Sequence, residues 1–333
     1  MRIIRSLESI VGGYPYPVLT IGAFDGIHLG HQEIIGRVRE RAREKKGTSM
    51  LFTFSDHPLK VMDPGSAPPL ITPPEVKRAI LRKMGLDLLI QVPFSQEFSQ
   101  KEPRAFIEEV LLGRLGMREI WVGFDFVFGK DRQGDINLLQ ERGRQLGFSV
   151  EIVPPVRLQG KIVSSTFIRG LLKEGRVAEA SGLLGRPYHV TGQVVKGSGR
   201  GRHLGFPTAN IGLPKDFLLP NGVYAGWAKV RGKIYPAAIN VGTSPTFAPL
   251  ERRIEAHLLA FQGNLYGMII QIHFWEKVRE ERRFKNEEEL ARRIREDTDL
   301  IAQLLSQGEG VGARRMAKSA PPLLSTEIGQ PAS

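Results

Sequence analysis

From Tyr16 to about Val153 the chain alternates short β-rich runs with longer amphipathic ones, and this alternation restricts the fold more than any other feature. "VLTIG" leads into Gln32–Lys46, where Ile34, Ile35 and Val38 fall at helical spacing. "SMLFTF", "DLLIQV", "EIWVGF" and "SVEIV" then take turns with helices starting near Thr72, around Pro103–Leu115 and around Ile136–Leu146. Apolar strands alternating with helices imply a parallel sheet covered on both faces, with ligands gathered beyond the strands' C-terminal ends. Thr72, with Pro73 after it and Glu75 three residues on, has the pattern of a helix N-cap with a capping box.

The texture changes at "GRPYHV". Two short helical segments, Thr166–Lys173 and Arg176–Leu184, precede the change. After it, "HVTGQVV", "GVYAGWAKV", "YPAAINVG", "RIEAHLLAF" and "MIIQIHF" are short, β-branched and punctuated by turns, the pattern of a small antiparallel barrel or sandwich. A charged amphipathic helix follows over Asn286–Leu305. The expected organisation is an α/β domain over 1–186, a β domain over 187–305, and a disordered tail over 306–333 that is rich in Gly, Pro, Ala and Ser.

Composition narrows the function. The 333 residues suffice for two cores, and the absence of cysteine excludes disulfides, thiolate chemistry and Cys-ligated zinc. No apolar run is long enough to span a bilayer and "MRIIRSLESI" has no signal-peptide apolar block, so a cytoplasmic location without a membrane partner is expected. The net charge of +12 suits nucleic acid or a phosphorylated small molecule, but its even spread along the chain does not choose between them. Clustered aromatics for base stacking are missing from the β runs, which argues against nucleic acid.

"TIGAFDGIHLGH", Thr20–His31, places a strand end, a glycine-containing turn and a helix start in succession. Backbone N–H groups and the helix dipole then converge where a phosphate would be favoured. His28 and His31 share a helix face and could donate to phosphate oxygens, while Gly30 lets a ligand approach the backbone. Three other readings stay open: a His-x-x-His metal pair, helix caps without chemistry, or a tight turn. The string is neither a Walker A loop nor a G-x-G-x-x-G fingerprint.

"HLGH" after a first strand resembles the nucleotidyltransferase superfamily, and "GAFDGIHLGH" within it resembles the FAD synthetase module of bifunctional riboflavin kinase/FMN adenylyltransferases. "FTFSDHP", "VGFDFVFGKDRQGD" and "VSSTFIRGLL" resemble further blocks of that module. The resemblance implies ATP and phosphate contacts from Gly22, Asp25, Gly30, Ser164, Ser165 and Thr166, catalytic roles for His28, His31 and Arg169, and a flavin contact from Asp125. Ala23 and Val127 stand where the family often has Asn and Arg, which keeps open a reading of this domain as a scaffold without activity.

"GSGRGRHLGFPTAN" offers backbone donors and arginines in one loop, fit to wrap phosphates, with Gly199 and Arg202 as candidates. Thr208 and Asn210 supply neutral oxygens suited to a Mg²⁺ that carries nucleotide phosphates. A plain glycine-rich hairpin is the alternative. From Tyr188 to Leu305, "GFPTANI", "GVYAGWA", "INVGTSPTF", "IEAHLLAF", "LYG" and "VREERRF" resemble the riboflavin kinases in the family's order. Ala260 departs from a common Asp. Glu255 matches the family's catalytic base and Arg279 a flavin-side residue; by composition alone they read as a strand-surface carboxylate and a helix-face cation.

The resemblances together imply an N-terminal Rossmann-like parallel-sheet nucleotidyltransferase domain and a C-terminal antiparallel β-barrel kinase domain. They further imply riboflavin, FMN and ATP as substrates and Mg²⁺ as cofactor. Homo-oligomerisation is left open by the sequence.

Overall fold

The computed structural model describes residues 1–213, 216–243 and 252–308, and the expected tail and Ser244–Phe247 of "INVGTSPTF" lie outside them, apart from the tail's first three residues. The chain divides into two compact units, Met1–Ser165 and Thr166–Ser333. The sequence places its boundary near residue 186; the intervening helices, Ser165–Lys173 and Val177–Leu184, fall almost wholly in the second unit.

The first unit is built on a six-stranded sheet of β1 (Arg2–Ile4), β2 (Pro17–Ile21), β3 (Thr48–Phe54), β4 (Leu88–Val92), β5 (Glu119–Gly123) and β6 (Ser149–Val153). All pairs are parallel, in the order β1-β4-β3-β2-β5-β6. β2 and β4 are buried along their whole length, as expected of strands covered on both faces. The three residues of β1, Arg2, Ile3 and Ile4, carry no readable period, and this strand was not anticipated. From β2 the chain builds outward through β3 to β4, then returns to add β5 on the other side. The direction of winding therefore reverses between β2 and β5, and the turn after β2 lies at that crevice.

Helix α1 (Leu29–Glu44) buries Ile35, Val38 and Ala42 against the sheet, and Arg41 ties it to the buried Glu119 of β5 at 2.9 Å. The N-cap expected at Thr72 falls instead at Pro73. The helix there runs Pro74–Lys83 from Pro73, without a side-chain cap bond, because the backbone N–H of Thr72 donates to Asp25 and holds the entering chain in a loop.

A short hairpin, β7 (Arg157–Leu158) and β8 (Lys161–Ile162), precedes the second unit. There β9 (His189–Val195), β10 (Ala209–Gly212), β11 (Gly222–Val230), β12 (Lys233–Thr243), β13 (Arg252–Leu258) and β14 (Ile269–Arg279) form a closed antiparallel barrel, ordered β10-β13-β12-β11-β14-β9. Closure selects barrel over sandwich: β9 pairs with both β10 and β14, so no edge remains. β10, read in the sequence as part of a loop, supplies the closing strand. Alternation turns Ile211, Ile239, Ile254, Ile270 and Phe274 inward. The helix Glu287–Gly308 lays Ile301 and Leu305 on Val223, Ala225 and Trp227, on the outer wall.

Candidate active sites

In the first unit the stretch after β2 makes an unusually bent turn. Phe24, Gly26 and Ile27 have φ of 47°, 84° and 40°, and Phe24 and Ile27 are fully buried. A β-branched residue in the left-handed region costs about 1 kcal/mol or more, so the surroundings must hold it. Asp25, 2% exposed, accepts the N–H groups of Ile71 at 3.0 Å and Thr72 at 3.1 Å. The carbonyl of Ala23 accepts from Lys77 Nζ at 2.8 Å and from Thr53 Oγ1 at 3.2 Å, and Ser165 Oγ donates to the carbonyl of Asp25 at 2.9 Å. The structure thus uses the Asp25 carboxylate to clamp the 71–72 loop. Burial pushes the Lys77 pKa down, with Asp25 opposing. Lys77 was missed in the sequence, although a lysine between Val76 and Ile80 on the buried side of an amphipathic helix is itself a signal.

His28 is the N-cap of α1: its Nδ1 accepts from His31 N at 3.3 Å, which places the ring proton on Nε2. The two rings stack at 3.7 Å with an interplanar angle of 16°. Stacked imidazoles direct their in-plane lone pairs along parallel lines, so a single metal between them is disfavoured. The cap bond of that reading is formed at Nδ1. A Cβ on Gly30 would meet the His28 ring at 3.2 Å and the Val163 carbonyl at 3.6 Å, so this glycine admits both the ring and the chain leading to Ser164. Gly22, Asp25, His28, Gly30, His31 and Ser165 are thereby gathered at the strand ends. Thr166 and Arg169 lie one turn apart on the helix that Ser165 opens. Asp125 is exposed beyond β5, its carboxylate folded back over Gly123, while Val127 is 36% exposed.

In the second unit a cavity of about 300 Å³ lies on the outer barrel wall, beneath the helix Glu287–Gly308. Thr208, Asn210, Glu255, Arg279 and Gly199 all line it. Asn210 pairs with Glu255 across β10 and β13, and Glu255 pairs with Asn240 across β13 and β12, so three polar side chains form one row. Burial pushes the Glu255 carboxyl above the ordinary carboxylate range; Arg253 pulls it down and Glu281 pushes it further up. The glycines of the loop have a steric reason. A Cβ on Gly197 would lie 2.4 Å from the Asn210 amide, and one on Gly201 would lie 2.5 Å from the Phe206 carbonyl and 3.2 Å from the Thr208 hydroxyl. Thr208, Asn210 and Glu255 present hard oxygens on one wall, a donor set that fits Mg²⁺ completed by nucleotide phosphates.

Arg200, not foreseen, lines the cavity, whereas Arg202 is exposed and off its wall. Residues two apart on the turn Arg200–His203 point to nearly opposite sides. Arg279 is not a free helix-face cation. It ends β14, and its guanidinium is held by Asp297 at 2.7 and 2.9 Å and by the Glu280 carbonyl at 2.9 Å.

A parallel sheet with a glycine-containing turn at its crevice, followed by a barrel with a carboxylate-lined cavity, is the arrangement expected of a fused nucleotidyltransferase and small-molecule kinase. Comparison with known proteins gives the family. Residues 15–167 match the FAD synthetase family and 184–305 the riboflavin kinase family. The bifunctional riboflavin kinase/FMN adenylyltransferase of Bacillus subtilis is 37% identical over 84% of this chain and 90% of its own length. Those of Pseudomonas fluorescens and Escherichia coli K12 are each 36% identical over 89% of this chain and 96% of theirs. A crystal structure from Streptococcus pneumoniae, described as a macrolide-efflux protein, superposes with a TM-score of 0.81 at 30% identity, covering 90% of this chain and 98% of that one. The chain belongs to the bifunctional riboflavin kinase/FMN adenylyltransferase family. Among the described residues no helix is long and apolar enough to cross a membrane.

Proposed function

We infer that this chain makes FAD from riboflavin in two transfers from ATP, and the observation that carries this reading is the pair of family matches, FAD synthetase over 15–167 and riboflavin kinase over 184–305. In the first transfer Glu255 takes the proton of the riboflavin ribityl hydroxyl as its oxygen bonds to the γ-phosphorus of ATP. The bond to the bridging oxygen breaks, ADP leaves and FMN results. The raised proton affinity of Glu255 suits a base that must capture a proton near neutrality. Thr208 and Asn210 would hold Mg²⁺, which when bound neutralises charge on the phosphates. Backbone N–H groups at Gly199, with Arg200, face the phosphates, Arg202 on the outer side of the same turn would reach them only by swinging its side chain inward, and Arg279, oriented by Asp297, contacts the flavin.

In the second transfer an FMN phosphate oxygen attacks the α-phosphorus of ATP and pyrophosphate departs. His28 and His31 donate to the phosphates, Gly22 and Gly30 allow close approach, and Ser164, Ser165, Thr166 and Arg169 supply further donors. Asp25 positions the turn and Asp125 contacts the flavin. Neither transfer needs a covalent enzyme intermediate. The domains divide near residue 186 in this reading, so that the segment carrying Thr166 and Arg169 works with the first site. A cytoplasmic enzyme free of nucleic-acid and membrane partners fits the composition.

Incubating the protein with riboflavin, ATP and Mg²⁺ and resolving the products by chromatography tests the assignment. FMN followed by FAD is expected. FMN alone would reduce the first unit to a scaffold, and no FMN would remove the kinase.

A further inference from the structure

The catalytic row Asn210–Glu255 sits at the end of a ladder that stops one residue short of Thr208. β10 begins at Ala209, opposite Ala256, so Thr208 and the two residues before it are outside the main-chain pairing. Pro207 has no N–H, which leaves its carbonyl as its sole main-chain polar group. That carbonyl is taken by a side chain: His257 Nδ1 lies 2.9 Å from it. Since a carbonyl only accepts, Nδ1 carries the proton. His257 also meets the Phe206 ring edge-on at 5.6 Å and 82°. Phe206 in turn donates its N–H to the Gly201 carbonyl at 2.7 Å, which links the same strap to the glycine-rich turn. His257 is two residues from Glu255 on one strand, hence on the same face, and both line the cavity.

We propose that His257 is a positioning residue of the kinase site, holding the Phe206–Thr208 strap through the Pro207 carbonyl so that the Thr208 hydroxyl is presented beside Asn210 and Glu255. This inference rests on the kinase assignment of the second unit. One strand thereby carries both the base and the anchor of the segment facing it. Movement of the strap relative to the base is limited to the flexibility of a single β-strand. The Phe206 contact orients the ring, and the hydrogen bond fixes the strap's height above the wall.

Two substitutions in the full chain separate the bond from the packing. His257→Phe keeps a ring against Phe206 and removes the donor; His257→Asn keeps an N–H near the Nδ1 position. Hydrogen exchange over residues 201–210, measured without nucleotide or metal, reads the strap directly. The Mg²⁺ concentration giving half-maximal riboflavin phosphorylation reads its consequence. His257→Phe should accelerate exchange in that segment about fivefold to tenfold, as loss of one such hydrogen bond implies, and raise the Mg²⁺ requirement by a similar factor. FAD formation from supplied FMN should be unchanged, and His257→Asn should restore both readouts close to wild type. Unchanged exchange and Mg²⁺ requirement in His257→Phe would overturn the proposal, as would His257→Asn behaving like His257→Phe. If the wild-type chain made no FMN, the kinase assignment would fall, while the exchange contrast would still decide whether His257 holds the strap.

Discussion

Asn210 and Glu255 stand directly opposite one another across the β10–β13 ladder, so the expected metal ligand and the expected base share one face of the barrel wall. Forty-five positions separate them in the chain. The pairing makes the kinase site a property of two strands, since a one-residue slip of either would turn that strand's polar side chain toward the apolar interior and break the pair.

Replacing Glu255 by Gln keeps the shape of that pair and removes proton acceptance. FMN formation from riboflavin should drop by about a hundredfold or more. FAD formation from supplied FMN should persist, because that transfer uses the other site. Both are read from one chromatogram, and undiminished FMN formation would reduce Glu255 to a strand-surface carboxylate.

Glu281 lines the same cavity, its carboxylate held by Asn221 Nδ2 at 3.0 Å. Burial is the main reason that Glu255 binds its proton above the ordinary carboxylate range, and Glu281 adds to the effect. Phosphorylation should therefore fail on the acid side as Glu255 becomes protonated. Glu281→Gln removes a negative neighbour, favours the Glu255 carboxylate and should move the acid limb of the kcat/KM profile to lower pH. A limb that stays in place or moves upward contradicts the coupling.

The stacked histidines should separate by function. His28 caps α1, so His28→Ala should lower thermal stability, by about 1 kcal/mol for a lost cap. His31→Ala leaves the cap acceptor in place. If His31 donates to the departing pyrophosphate, its loss should cut FAD formation by about a hundredfold or more while weakening ATP binding much less. Riboflavin phosphorylation should be unaffected in both variants. Near-normal FAD synthesis by His31→Ala would end the catalytic assignment.

His189 and His273 stack at 4.8 Å on neighbouring strands of the barrel and are both buried. Burial, with help from Arg186, pushes the His189 pKa down to about 4, and burial holds His273 well below its ordinary value. The unfolded chain takes up these protons near pH 6.5 and the folded chain does not. Their contribution is thus complete above that pH and is lost as pH falls toward 4, by about 3 kcal/mol for His189 alone. Thermal unfolding from pH 7.5 to 4.5 should show a steep decline that flattens in the double variant His189→Leu, His273→Leu. Equal slopes would clear the histidines as its cause.

The sequence by itself determined the elements whose physics is local. Helix Ile136–Leu146 and strands His189–Val195 and Gly222–Val230 have the bounds read from their patterns, because period and turn chemistry act within a few residues. It also determined the order of motifs along both halves. The short elements β1 and β10 were not legible, since three or four residues carry no period and form only where a partner strand waits. The roles of Asp25, Lys77 and His257 depended on tertiary structure. A carboxylate becomes a loop clamp only when residues 71 and 72 are folded onto it, and a lysine becomes a buried donor only when the Ala23 carbonyl lies within reach. That Arg200 rather than Arg202 lines the cavity follows from the direction of one helical turn relative to the wall beside it. Such assignments arise from contacts between distant segments, whose distances and directions no local pattern encodes.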